Sequence, residues 1–152
     1  MIKIMRFRLA VIFMIAVPFF SSCALILTTS TPPPPNGNYI ILADYGLMVM
    51  RKDLGKSTWT GARDMCKQIR LGGFSDWRLP TQGELAILYN ERNIIGDFDT
   101  FNNTGYWSST PHSTAGFYVY LNFTTGQIGH HLDMFNQQPL AVRCVRNTPP
   151  LR

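Results

Sequence analysis

The stretch Ser75-Asp76-Trp77-Arg78-Leu79-Pro80-Thr81-Gln82-Gly83-Glu84 sets a large aromatic beside a charged side chain, then breaks the backbone and restarts it. Pro80 disfavours helical angles at Leu79, because its ring clashes with the residue before it. Thr81 and Glu84 have the Thr-x-x-Glu spacing of a capping box, in which each side chain satisfies an orphan amide at a helix N-terminus. A second helix is therefore expected over residues 81–90, with Leu85 and Leu88 inward. Trp77, Arg78, Leu79, Pro80 and Glu84 read as framework, with Arg78 and Glu84 as a buried or half-buried ion pair.

Upstream of this stretch, Ser57 or Thr58 offers a cap, and Trp59, Ala62, Met65, Cys66 and Ile69 recur at three-and-four spacing. A first helix is expected over 59–70, ended by Gly72-Gly73. Before it, residues 39–42 and 45–51 are short β-prone runs around Ala43-Asp44. Downstream, residues 91–104 have no clear period and read as a loop of the kind that often carries function. Beyond them the period falls to two. Tyr106-Trp107-Ser108-Ser109 is followed by Phe117, Val119, Leu121 and Phe123 alternating with Tyr118, Tyr120 and Asn122, which is a strand signature, with Trp107 a further framework residue. Further strands are expected over 127–132, after the turn Thr124-Thr125-Gly126, and over 140–146 as the closing one. Two early helices and late antiparallel strands make an α+β domain.

The N-terminus has a different character. Lys3, Arg6 and Arg8 precede an apolar run over 9–20, then Ser21, Ser22 and Cys23, the three-part build of a secretory signal. A cysteine after small residues resembles the lipobox of bacterial lipoproteins, so Cys23 is the expected lipidation site, with ordinary cleavage after Ala24 as the alternative. Residues 24–38 include Pro32 to Pro35 and read as a stiff polyproline tether. The expected organisation is a signal over 1–23, this tether, a domain over 39–148 and a tail over 149–152. The chain is thus expected at the outer membrane or cell surface through a lipid anchor, or otherwise periplasmic or secreted.

Of the 14 Lys and Arg residues, setting aside the three in the signal leaves eleven against nine Asp and Glu. These are interspersed, with no basic run to track phosphates, which argues against nucleic acid as a partner. In an exported chain that has lost Cys23 to lipid or cleavage, Cys66 and Cys144 remain as disulfide partners, the alternative being two buried free thiols.

Five motifs stand in order along this chain: Tyr45-Gly46-Leu47-Met48; Thr58-Trp59 and Ala62 with Cys66; Asp76 to Thr81 with Glu84-Leu85; Tyr106-Trp107-Ser108-Ser109-Thr110; and Val142-Arg143-Cys144-Val145-Arg146. On these, residues 46–146 resemble the C-terminal domain family of the Legionella collagen-like protein, which neighbours a Fibrobacter paralogous domain. The resemblance implies a C-type-lectin-like fold, the Cys66 to Cys144 bond and a role in surface adhesion. The collagen-like repeats of the family's best-known member are missing here, so its preference for sulfated glycans does not transfer.

A fold does not fix a function. The sugar-binding triplets of calcium-dependent lectins are absent: Gln138-Pro139-Leu140 has the proline without the carboxylate. Asp97, Asp99, Asn102 and Asn103 are candidate ligand-binding residues with oxygens suited to calcium, against the alternative of a polar loop of Asx turns. Tyr118 and Tyr120 are candidate contact residues, because alternation sets them opposite the Phe117 to Phe123 row. His130 and His131 point to opposite strand faces and, with His112 at a distance, argue against a metal site. Arg78, Arg143 and Arg146 are weighed as an anion patch. No catalytic motif and no cofactor is expected. The expected function is non-catalytic ligand binding or adhesion toward an extracellular glycan or protein. A structural envelope module and a relative of the formylglycine-generating enzymes, which use a reactive cysteine pair, are the alternatives.

Overall fold

The computed structural model describes residues 37–133 and 138–149. Cys23, the signal, most of the expected tether and the last three residues of the tail lie outside the described residues. The described chain is α+β, with three helices, eight strands and one disulfide.

A three-stranded antiparallel sheet has the order β1 (Tyr39–Leu42), β2 (Leu47–Met50), β8 (Val145–Asn147). A turn of 3-10 helix over Ala43–Tyr45 joins β1 to β2 and closes on Gly46, whose φ of 63° suits glycine. Leu47 and Val49 enter one core cluster with Leu85, Leu88, Tyr106 and Phe123, while Met48 and Met50 enter the other with Cys66, Trp77, Leu79 and Trp107. The strand is covered on both faces, which is why its sequence is an unbroken apolar run rather than an alternation.

The second sheet has the order β3 (Lys56–Ser57), β7 (Leu140–Ala141), β4 (Gly105–Pro111), β5 (Phe117–Asn122), β6 (Ile128–Leu132), antiparallel except for the parallel pair β4 and β7. The expected closing strand over 140–146 is therefore two strands in two sheets. Residues 142–144 between them bond elsewhere: the Leu54 amide donates to the Val142 carbonyl and the Met50 amide to that of Cys144, 2.9 and 3.1 Å.

Helix α1 (Trp59–Gln68) is capped by Thr58, whose hydroxyl accepts from the Gly61 amide, and it stops two residues short of the expected end. Helix α2 (Gln82–Asn90) begins with both halves of the capping box: Thr81 Oγ1 accepts from the Glu84 amide at 3.2 Å and Glu84 Oε2 from the Thr81 amide at 2.7 Å. The segment expected to be a loop over 91–104 contains a short helix α3 (Arg92–Ile95), with Ile95 buried. Its one inward apolar anchor is too little to show as a period.

The opening stretch ties the sheets together. Arg78 exchanges two backbone bonds of 2.9 Å with Val145 of β8, and the Ser109 amide of β4 donates to the Pro80 carbonyl. The Arg78 guanidinium forks onto Glu84 at 2.7 and 2.8 Å and reaches Asn147 Oδ1 at 2.6 Å. Trp77 is buried, its indole donating to the Leu71 carbonyl at 3.2 Å. Trp107 is buried too and donates to the Ser57 carbonyl. Cys66 and Cys144 are joined, with an S–S distance of 2.04 Å.

Partial burial of Glu84 acts to raise its pKa, but Arg78 and the Thr81 amide overcome it and hold the carboxyl below its ordinary value. A carboxylate depressed in the folded state adds stability above its unfolded pKa, near 4.3, and loses it as pH falls through the folded value. Glu84→Gln is thus expected to cost about 1 kcal/mol at neutral pH, kept small because Arg78 remains 38% exposed. In urea unfolding the gap from the parent should close below about pH 4; a gap unchanged at pH 3 would exclude this role.

Candidate functional site

Arg143 is a fully buried cation inside the domain. Its Nε donates to Asp53 Oδ1 at 2.6 Å, Nη1 to the carbonyls of Met50, Arg51 and Gly96, and Nη2 to the Asp97 carbonyl at 2.6 Å. Burial without water requires this many acceptors for a guanidinium. Gly96 and Asp97 have positive φ of 78° and 57°, and this left-handed turn brings both carbonyls onto the one cation. The Phe98 ring then lies over the guanidinium, 4.0 Å from its carbon, and against Phe123 and Tyr106. Tyr106 closes the network by donating to Asp53 at 2.6 Å and accepting from the Asp99 amide at 2.7 Å. Burial, and then the Asp53 carboxylate, push the Tyr106 hydroxyl well above its ordinary pKa, so it stays protonated as this donor.

The backbone clamped in this way lines a cleft of about 560 Å³. Gly96, Asp97 and Phe98 line it together with Arg92, Asn93, Thr100, Phe123 and Thr124. Several of these are themselves fixed. Arg92 lies over the Tyr89 ring at 4.2 Å and donates to the Tyr89 carbonyl, while Thr124 Oγ1 donates to the Thr100 carbonyl at 2.7 Å. Among the described residues no carboxylate lies within ion-pair distance of Arg92, which leaves its guanidinium as a donor at the cleft. A second cleft, of about 250 Å³, is lined by Lys56, Asn102, Asn103, Thr104, Gln138 and Pro139 among others.

The four polar candidates of the loop separate between these clefts. Asp97 faces the first, and Asn102 and Asn103 face the second. Asp99 lines neither; it accepts from the Phe101 amide at 3.1 Å in an Asx turn and pairs with Lys56 at 3.5 Å. Slight burial acts to raise the Asp99 carboxyl, but the Phe101 amide, Thr104 and Lys56 hold it below its ordinary value. Asn102 and Asn103 both have positive φ, a conformation asparagine tolerates in turns. The four do not converge on one point.

Tyr118 and Tyr120 are half-buried and line neither cleft. Tyr118 stacks on Trp59 at 3.6 Å, and Tyr120 lies across Gly105 and Gly129, where an added methyl group would strike its ring. His130 and His131 do part to opposite faces: His131 meets Trp107 edge-on while His130 stacks on His112 at 4.4 Å, so His112 is a neighbour and not at a distance. The three arginines form no anion patch. Arg143 and Arg78 are engaged as described, and Arg146 forks onto Asp76 at 2.7 and 3.0 Å while lying over Phe74. Sequence reasoning missed Arg92, Phe98, Thr124 and Lys56 as lining residues; no local pattern marks them, because the fold alone brings them together.

A disulfide-bridged α+β domain with a preformed cleft on a clamped loop defines the class of this protein. The chain belongs to the Lcl C-terminal domain family, whose profile matches residues 41–146. Comparison with curated proteins gives no match.

Proposed function

We propose that this chain is an exported, lipid-anchored ligand-binding module of the bacterial cell envelope that holds a saccharide in the 560 Å³ cleft without transforming it. That cleft carries the reading. Its size falls within the range of roughly 300 to 1,000 Å³ usual for small-molecule sites, and it presents what saccharide hydroxyls require: a guanidinium, an amide and two threonine hydroxyls beside aromatic carbon. Buried Arg143 holds part of its lining in place before any ligand arrives, which lowers the ordering cost of binding. We also read the fold as C-type-lectin-like. Short strands, then the helices, then mainly antiparallel strands, with a bond from the first helix to the segment before the last strand, support that reading. The union of Cys66 and Cys144 supports a module over an enzyme of the formylglycine-generating kind, since a thiol held in a disulfide is no nucleophile. The lipobox-like Cys23 supports the anchor.

The test is a glycan array probed with the full chain in detergent, beside a pull-down from envelope extract and metabolic labelling with a palmitate analogue. Saccharide binding that Arg92→Ala weakens about tenfold, the loss of one charge-assisted hydrogen bond, is the expected result, with label dependent on Cys23. Capture of an envelope protein with no saccharide bound would replace this reading with that of a structural module.

A further inference from the structure

We propose that the ligand is an extended chain lying across residues 97–104 and filling both clefts at once, with Phe101 as the stacking platform between them. This rests on the saccharide reading above. Thr100 lines the first cleft, and Asn102 and Asn103 line the second. Phe101 lies between them along the chain and is 78% exposed, the most exposed large apolar side chain of the described residues.

A single exposed apolar residue is ordinary on a protein surface. What sets Phe101 apart is how its backbone is held. Its amide donates to Asp99 Oδ1, its carbonyl accepts from Thr104 Oγ1 at 2.6 Å, and Thr124 Oγ1 fixes the Thr100 carbonyl just before it. Asn122 Nδ2 donates to the Asn103 carbonyl two residues further on. With the chain held by hydrogen bonds on both sides, the ring is presented outward.

The spacing selects the ligand. Thr100 and Asn102 are two residues apart, at most about 7 Å along the backbone. That is the scale of a sugar ring with its linkage, so a ligand of one or two rings fills a single cleft and a longer one must cross Phe101. The second cleft offers side-chain amides of Asn102, Asn103 and Gln138, each with a donor and an acceptor for adjacent hydroxyls, beside the Lys56 ammonium. A ring face passing over Phe101 joins these two polar sets.

The experiment uses the full chain in detergent with dextran, homogalacturonan, chitin and peptidoglycan glycan strands, each as fragments of two to eight units, and measures affinity by calorimetry. Affinity for the polymer that binds should rise steeply once fragments exceed about two rings, the span set by the loop. Phe101→Ala should weaken the long fragments about tenfold, the value of one aromatic contact, and leave the shortest unchanged, while Phe101→Trp keeps the gain. Gln138→Ala should weaken only fragments long enough to reach it. Melting curves like that of the parent exclude misfolding as the cause. Disaccharide binding as tight as polymer binding, indifferent to Phe101, would overturn the crossing and leave the single-cleft reading in place. Binding of none of the four overturns both.

Discussion

Replacing Cys66 and Cys144 together by alanine is expected to lower the unfolding free energy by about 4 to 5 kcal/mol. The bond spans 78 residues, from α1 to the segment just before β8, and so restricts most of the unfolded domain. In the chain-entropy account a loop of that length is worth near the top of the range for a single disulfide. Both cysteines are fully buried between Met48, Trp77 and Trp107, so the alanines also leave small voids that add to the loss. A domain of this size is stable by only roughly 5 to 15 kcal/mol, which leaves the variant marginal at best. Urea unfolding of the oxidised parent, the reduced parent and the double variant provides the measurement. The reduced parent is expected to lose slightly less than the variant, the difference being the voids left by the alanines; a loss below about 1 kcal/mol in both would show that the unfolded chain is already constrained without the bond.

The parts of the fold that were legible in the sequence are those written in local chemistry. The capping box of Thr81 and Glu84 needs only four residues to declare itself, and it forms as expected. The alternation from Phe117 to Phe123 placed Phe117, Val119, Leu121 and Phe123 on one face; the last three are buried, while Phe117 is half-buried beside His112 and His130. The break at residues 142–144 had no such mark. Apart from Arg143, Leu140 to Val145 keeps an apolar character, and only the positions of β1–β2 and β3–β4 decide that its two ends join different sheets. Tyr118 and Tyr120 illustrate the same limit: alternation fixes which face they take, but Trp59, brought in by α1, and the bare glycines 105 and 129 decide what meets that face. For the candidate site, the segment 91–104 lines parts of both clefts, but the sequence reading named only some of the residues around them. Arg92, Phe123 and Thr124 meet there because of the register of β5 and the placing of α3, which a linear reading cannot supply.

Arg143 is the extreme case of a residue whose role lies in distant partners, and its replacement carries the second large expected effect. Arg143→Met keeps the length and apolar stem of the side chain and removes the cation. Asp53 then loses its ion pair 90 residues away in sequence, and the carbonyls of Met50, Arg51, Gly96 and Asp97 lose their shared donor. Removing one member of a buried pair costs about 3 to 5 kcal/mol, because the partner charge is left without compensation. Asp53 keeps the Tyr106 hydroxyl and is 20% exposed, which places the expected loss at the lower end, about 3 kcal/mol. Arg143→Lys should recover little, since a point ammonium cannot reach the side-on Asp53 and the opposed carbonyls of 96 and 97 together. Adding Asp53→Asn to Arg143→Met removes the stranded charge, so the double variant should lose less than the two single losses combined. The carbonyls of Gly96 and Asp97 lose their Arg143 donor in both methionine variants. Stability restored by Asp53→Asn should therefore come without restored binding of the proposed saccharide, and amide exchange over residues 96–98 should stay faster than in the parent. Rescue of both together would mean that this part of the cleft is held by packing of Phe98 on Phe123 and Tyr106, and not by the cation.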